Sequence, residues 1–233
     1  MRIYIIRHGE TALNAGRVKQ GWLDEPLNGS GRYLAELTGR ALRGVRFDAC
    51  VSSPLIRARE TAEIVLRESG NANVPVETDE RLKEICFGEE EGRPVTECSR
   101  DPEAARLFFA DPFRFPGYPG GENIAQVCAR TQDFLKELIA RDDGRTWLIG
   151  IHGCALRAML NPYYTNPADF WHGHVPPNCS VTILDVRDGQ AVITEDDRIY
   201  YDPALLVDHY RDMTKRQGQK KSRATARTEE DGI

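Results

Sequence analysis

The chain has 233 residues, 40% hydrophobic and 29% charged, with a formal net charge of −5. This length buries a substantial core as one α/β domain and requires no second one. Its apolar runs are too short for a membrane span or a signal-peptide core, and an acidic body argues against nucleic acid as the main partner, so a cytoplasmic location is expected.

Residues 2 to 6 include three isoleucines without alternation, which predicts a strand buried on both faces, and the run breaks at Arg7-His8-Gly9. Ligands of open α/β sheets bind at the carboxyl ends of strands. There Arg7 offers a fork for phosphate or carboxylate, a neutral His8 offers a nucleophilic nitrogen, and Gly9 admits close approach of the backbone. Taken alone, the triplet also fits an ordinary strand end with a partly buried histidine. Residues 11 to 27 are polar and small, a loop of functional length. A helix follows Asn28, with Leu34, Leu37, Ala41 and Leu42 on one face.

Residues 47 to 51 predict a short strand running into Ser52-Ser53-Pro54, where Ser as N-cap and Pro at the first helical position start a helix. Its buried side carries Leu55, Ala58, Ala62, Val65 and Leu66, and it stops near Gly70. Arg57 and Arg59 fall in the opening turns, where the helix dipole is already positive. A bound anion would turn that repulsion into attraction, whereas a solvated arginine needs no such partner. Spacing alone does not separate the two. Val74 to Thr78 predicts another strand, leading into the acidic stretch Glu80 to Gly92. Most of its carboxylates read as a solvated face. Glu84 instead precedes the apolar trio Ile85-Cys86-Phe87, an environment that suits it to donate a proton.

Residues 101 to 121 hold Pro102, Pro112, Pro116 and Pro119 among Phe108, Phe109, Phe113 and Phe115, and read as a loop forming a lid or pocket wall. Asn123, with Gln126 three residues on, then starts an amphipathic helix through Ile124, Val127, Cys128, Phe134, Leu135, Leu138 and Ile139, ended by Asp142-Asp143-Gly144. Thr146 to Ile151 repeats the opening arrangement: a second continuous apolar strand delivering His152-Gly153, followed by a helix with Ala155, Leu156, Met159 and Leu160. Cys179 to Val186 and Ala191 to Thr194, joined at Asp188-Gly189, predict a hairpin at the sheet edge. Residues 1–210 are read as the domain and 211–233 as a basic, flexible tail. Cys50, Cys86, Cys98, Cys128, Cys154 and Cys179 are scattered and read as reduced packing residues.

If the two His-Gly strand ends and the Ser-Pro helix start converge, one pocket contains His8, His152, Arg7 and Arg57, with Glu84 nearby. Two arginines would repel a cation, so this inventory makes a poor metal site, and no metal is assigned. It makes a good phosphate site, because guanidinium forks and imidazole donors satisfy the oxygens of a transferring phosphoryl group. His172 and His174 are a separate His-x-His pair and read as surface or substrate wall.

The motif set resembles the histidine phosphatase superfamily in its phosphoglycerate-mutase-like branch. It comprises Arg7-His8-Gly9-Glu10-Thr11 with Asn14, Gln20-Gly21-Trp22 with Leu27, Ser52-Ser53-Pro54 with Arg57 to Ala62, Arg81 to Glu84, Gly88, Glu91-Gly92, Gly120-Gly121-Glu122 and His152-Gly153. The resemblance implies a single three-layer α/β domain with a mostly parallel central sheet flanked by helices. It makes His8 the nucleophile that becomes phosphohistidine, sets Arg7, Arg57 and His152 on the phosphoryl oxygens, and makes Glu84 the general acid and then base. Asn14, Gly21 and Gly153 are similar to the family's substrate-contacting positions. Ile151 and Cys154 depart from the pattern, which often has a small hydroxyl residue before the second His and a second Gly after Gly153.

The expected activity is hydrolysis of a small phosphorylated metabolite without metal or organic cofactor. Its partner is a small-molecule phosphate ester, with no nucleic acid and no membrane, and a homodimer is left open. A cofactor-dependent phosphoglycerate mutase is the second reading, disfavoured by the short segment between Glu84 and His152. A non-catalytic binding protein on the same fold is the third.

Overall fold

The computed structural model describes residues 1–95 and 100–207. Cys98 and the 211–233 tail lie outside them. Strand β1 (Arg2–Arg7) is followed by a one-turn helix α1 (Ala12–Ala15), then α2 (Gly29–Ala41), β2 (Ala49–Ser52), α3 (Ile56–Ser69) and β3 (Val76–Thr78). Next come α4 (Pro102–Ala110), α5 (Ile124–Arg141), β4 (Thr146–Ile151), α6 (Gly153–Leu160) and the hairpin of β5 (Val181–Arg187) and β6 (Gln190–Arg198). The six strands form one sheet in the order β3-β2-β4-β1-β5-β6. The β3–β2, β2–β4 and β4–β1 pairs are parallel, and β5 and β6 are added antiparallel.

The unalternating isoleucines of β1 have their explanation in the layers. Ile3 and Ile5 point into a core shared with α4, α5 and α6, while Tyr4 and Ile6 point into a second core shared with α2 and α3. Burying each isoleucine contributes about 1.5–3 kcal/mol, so both faces of β1 hold it at the centre of the sheet. That position brings the carboxyl ends of β1, β4 and β2 side by side, with Ile6 opposite Gly150 and Ser52 opposite the same glycine. Where β1 ends, a side chain at Gly9 would run into the Gly31 carbonyl at 2.6 Å, so the start of α2 closes directly over the strand end.

Three local expectations change. Residues 101–121 are not a loop throughout: Asp101 caps Ala104 N–H at 2.9 Å and Pro102 opens α4. Proline there is a helix starter and not a breaker. Helix α3 begins at Ile56, two residues beyond Pro54, with Leu55 and not a serine at the N-cap position, and Asp24 accepts the Ile56 N–H at 2.6 Å. In α2, Ala41 faces solvent, and the buried stripe runs through Leu34, Ala35, Thr38 and Gly39. Among the described residues, no helix is long and apolar enough to cross a membrane.

Candidate active site

His8 sits just beyond the end of β1 and is 3% exposed. Its Nδ1 lies 2.7 Å from the Gly9 carbonyl. A carbonyl can only accept, so Nδ1 carries the ring proton and Nε2 keeps its lone pair. The backbone around it is clamped by the chain entering β5. Asn178 Nδ2 donates to the His8 carbonyl at 2.9 Å, and Cys179 N–H donates to the Arg7 carbonyl at 3.1 Å. Arg7 donates through one terminal nitrogen to the Pro176 carbonyl, and its Nε has no partner.

His152, fully buried, ends β4 and caps α6, and its ring centroid lies 5.1 Å from that of His8. Ser53 Oγ is 2.8 Å from its Nε2 and also accepts the Leu55 N–H at 3.3 Å. With the hydroxyl proton directed at Nε2, the ring proton sits on Nδ1, a buried nitrogen without a protein partner. Burial, followed by the charges of Arg57 and then of Arg7, holds the His8 pKa well below the ordinary 6.5. Burial also lowers His152 well below 6.5, reinforced by Arg57 and His8. Both imidazoles are therefore neutral at pH 7.

The choice between the two arginines is settled by the helix face. Arg57 is fully buried, with terminal nitrogens on the Leu23 and Gly21 carbonyls at 2.8 and 2.7 Å and Nε unpartnered. Arg59 faces solvent beside Glu63. Burial lowers the Arg57 pKa to about 10, opposed by Glu84, Asp24 and Glu91, so it stays charged.

Glu84 is 8% exposed. Its Oε1 accepts from Ile85 N–H at 2.9 Å and Ala155 N–H at 3.0 Å, while Oε2 accepts only the longer 3.2 Å bond from Cys154. The carboxylate thus covers the N-terminal turn of α6, the helix that His152 caps, and Oε2 is the oxygen with room for a proton. Arg7, His8, Asn14, Glu84 and Gly153 line one cleft, and Arg57 and His152 lie buried behind it. Gly21 is not among the lining residues. Its N–H goes to Glu91 at 3.0 Å and its carbonyl receives Arg57, so it braces the arginine. A side chain at Gly21 would lie 2.1 Å from the Ile85 carbonyl. Asn14 closes a capping box with Thr11 on α1, a helical turn inside the stretch expected to be loop.

Two further residues hold this arrangement: Arg130, which the sequence does not single out, and Glu91, which the motif set contains without a role. Arg130, on α5, donates to the carbonyls of Arg81, Lys83 and Glu84 at 2.8, 2.6 and 3.0 Å and pairs with Glu122. It positions the acid, yet reads in sequence as one more polar residue of an amphipathic helix. Glu91 accepts the N–H groups of Gly21, Trp22, Leu23 and Phe87, tying the 21–23 segment to the acid's segment. His172 and His174 lie apart from the two catalytic-type histidines. His174 pairs with Asp197 at 2.8 Å, and His172 packs on Tyr164.

The fold brings two buried histidines and two buried arginines together at the carboxyl ends of β1 and β4 in a mostly parallel sheet. The chain belongs to the histidine phosphatase superfamily (branch 1), whose model matches residues 3–196. A probable phosphoglycerate mutase, GpmB, from Salmonella choleraesuis (strain SC-B67) is 29% identical over 190 residues, 82% of this chain and 87% of the relative. Among solved structures, Bacillus stearothermophilus YhfR superposes with a TM-score of 0.79 at 34% identity, covering 85% of this chain and 97% of that one. A mycobacterial glucosyl-3-phosphoglycerate phosphatase in complex with VO3 gives 0.71 at 28% identity, covering 82% and 96%.

Proposed function

We propose that the protein is a metal-independent phosphomonoester hydrolase acting through a phosphohistidine at His8. The observation that carries this reading is the set of buried nitrogens left without protein partners around a free imidazole nitrogen: Arg7 Nε, Arg57 Nε and, with the ring proton on it, His152 Nδ1, beside His8 Nε2. A phosphoryl group brings the oxygens these donors lack, and they meet its charge most strongly as it transfers.

In the reaction, the His8 Nε2 lone pair attacks phosphorus while the bond to the ester oxygen breaks. A proton on Glu84 Oε2 passes to that departing oxygen, giving the free alcohol. Water then attacks phosphorus as the P–N bond breaks, its proton returning to Glu84, and inorganic phosphate leaves with His8 neutral again. Two buried guanidinium groups supply the charge stabilisation for which other phosphoryl-transfer sites use cations. The partner in this reading is a small-molecule phosphate ester, and the setting is cytoplasmic.

A second reading, a phosphoglycerate mutase, is favoured by the printed name of the Salmonella relative. Both are tested by measuring phosphate release from a panel of phosphomonoesters in EDTA, with 3-phosphoglycerate followed for conversion to 2-phosphoglycerate. Hydrolysis that survives chelation and falls by about 10⁴-fold or more in His8→Ala is the expected result. Isomerisation without net phosphate release would replace it with the mutase.

A further inference from the structure

The cleft has two unlike halves. Its inner end is the cationic cluster described above. Its outer part is walled by Phe87, Phe108, Phe109, Tyr118 and Trp171, with Ala105 of α4 between them. Phe108 holds these rings in place through edge contacts, with centroids 5.4 Å from Phe87, 5.0 Å from Phe109 and 5.4 Å from Trp171. The Trp171 indole N–H is fixed on the Phe108 carbonyl at 3.0 Å. Counting its mouth, the cleft encloses about 690 Å³, well beyond what a phosphoryl group fills.

The outer half contains a cation, Lys19, but not an available one. Its Nζ is 2.8 Å from Glu90 Oε2, with side-chain exposures of 6% and 3%. Drawing that lysine onto a substrate carboxylate would take from the buried Glu90 its closest counter-charge, leaving Arg93 at 3.8 Å. Gln20, also lining the cleft, offers a neutral donor instead. Thr11 Oγ1 accepts the Asn14 N–H and gives its own proton to Gln20 Oε1 at 2.6 Å, which turns the amide so that Nε2 has no partner.

Resting on the phosphohistidine reading, we propose that the preferred substrate is the monophosphate of an uncharged, ring-bearing alcohol. Its ring lies among Phe87, Phe108 and Trp171, and a hydrogen-bond acceptor on its body meets Gln20 Nε2. A carboxylate-bearing body such as that of phosphoglycerate meets rings and a neutralised lysine. The same ring wall favours apolar surface over charge, because the ring loses water on entry and a carboxylate would lose its hydration without a counter-charge.

The test compares primary-alcohol esters of similar leaving-group basicity on the full-length protein: 2-phenylethyl phosphate, its three methoxy-substituted ring isomers, ethyl phosphate and 3-phosphoglycerate. The expected kcat/KM for 2-phenylethyl phosphate exceeds that for ethyl phosphate and for 3-phosphoglycerate by about 10- to 100-fold. In Ala105→Trp, which fills the box from a helix without removing a core side chain, the ratio of phenylethyl to ethyl ester falls at least about tenfold. Because it is a ratio, a merely less folded variant does not move it. At least one methoxy isomer exceeds the unsubstituted ring, and Gln20→Leu removes that excess. Equal or better turnover of 3-phosphoglycerate, or an unchanged ratio in Ala105→Trp, overturns the substrate assignment while leaving the hydrolase standing. Calorimetric binding of 2-phenylethyl phosphonate against ethyl phosphonate separates the two failures. A tenfold tighter Kd for the ring with no ester hydrolysed supports the box and sinks the reaction, and equal Kd values sink the box.

Discussion

Among the described residues two arginines, Arg57 and Arg157, are fully buried, and they are provided for in different ways. Arg157 of α6 is met by carboxylates: Asp197 bonds it directly, Asp196 lies 3.7 Å away, and the Tyr164 hydroxyl is at 2.7 Å. Burial alone would lower its pKa, but Asp197, Tyr164 and Asp196 outweigh it and raise it. Arg57 of α3 is met only by the carbonyls of Leu23 and Gly21, and burial lowers it to about 10. Each leaves its Nε without a partner. The difference is direct contact: Arg157 is ion-paired with a carboxylate, whereas the carboxylates acting on Arg57, those of Glu84, Asp24 and Glu91, act without hydrogen-bonding it. In the hydrolase reading, a fully buried charge without a direct ion pair is the one that marks the site.

Substitutions at the two positions should separate activity from stability. Arg57→Met is expected to lower kcat/KM by about 10²- to 10³-fold, the loss typical of a donor to developing charge. Its thermal midpoint should fall less than that of the Arg157 variant, since no direct ion pair is broken. A midpoint loss matching that of the Arg157 variant would erase the contrast. Arg157→Met leaves the buried Asp197 carboxylate with only His174 as an ionisable partner and should cost about 3 kcal/mol in urea denaturation. Adding Asp197→Leu should recover most of that. If the single variant is as stable as wild type, the cluster is not a neutralised pair.

Acid sharpens the comparison further. The folded pKa values of His8 and His152 lie below the unfolded value of about 6.5. Between the folded and unfolded values the unfolded chain binds more protons, so their contribution is complete above pH 6.5 and fades as pH falls toward the folded values. Urea midpoints should therefore drop from pH 7.5 to 5.5, while kcat/KM passes through pH 6.5 without an acid limb, which appears only well below. An acid limb at 6.5 would place His8 in an ordinary aqueous environment. The smallest effect belongs to Arg59→Ala, whose solvent-facing pair with Glu63 should leave kcat/KM intact and shift stability by no more than about 0.5 kcal/mol.

Legibility from sequence followed how local each cause was. His8 and His152 could be read because each ends a strand whose apolar run is itself the signal. Arg57 and Arg59 could not be told apart by the dipole argument, since both lie in the same opening turns. The discriminating signal was the face. Arg57 shares its side of α3 with Thr61 and Ile64, both buried, at helical spacing. The four prolines of 101–121 masked α4 because Asp101-Pro102 was weighed as loop composition and not as a cap followed by its first helical residue. Ser53 looked like a cap and instead hydrogen-bonds a histidine far along the chain. Arg130 and Glu91 act through backbone atoms of distant segments, and no local pattern announces such contacts.

The central position of β1 also bears on how the chain matures. During synthesis this strand leaves the ribosome before any of its neighbours, and both ladders that flank it wait for residues as distant as Thr146 and Asp185. One apolar face meets α2 and α3 early, but both hydrogen-bonding edges stay without native partners until most of the domain has been translated. Such long sequence separations slow folding and lengthen the exposure of sticky segments. The clamp of Asn178 and Cys179 on the backbone of Arg7 and His8 arrives in the same late portion. Nascent chains released short of it would carry the reactive histidine without the framework that aims it, so hydrolytic competence should emerge only after β5 is made.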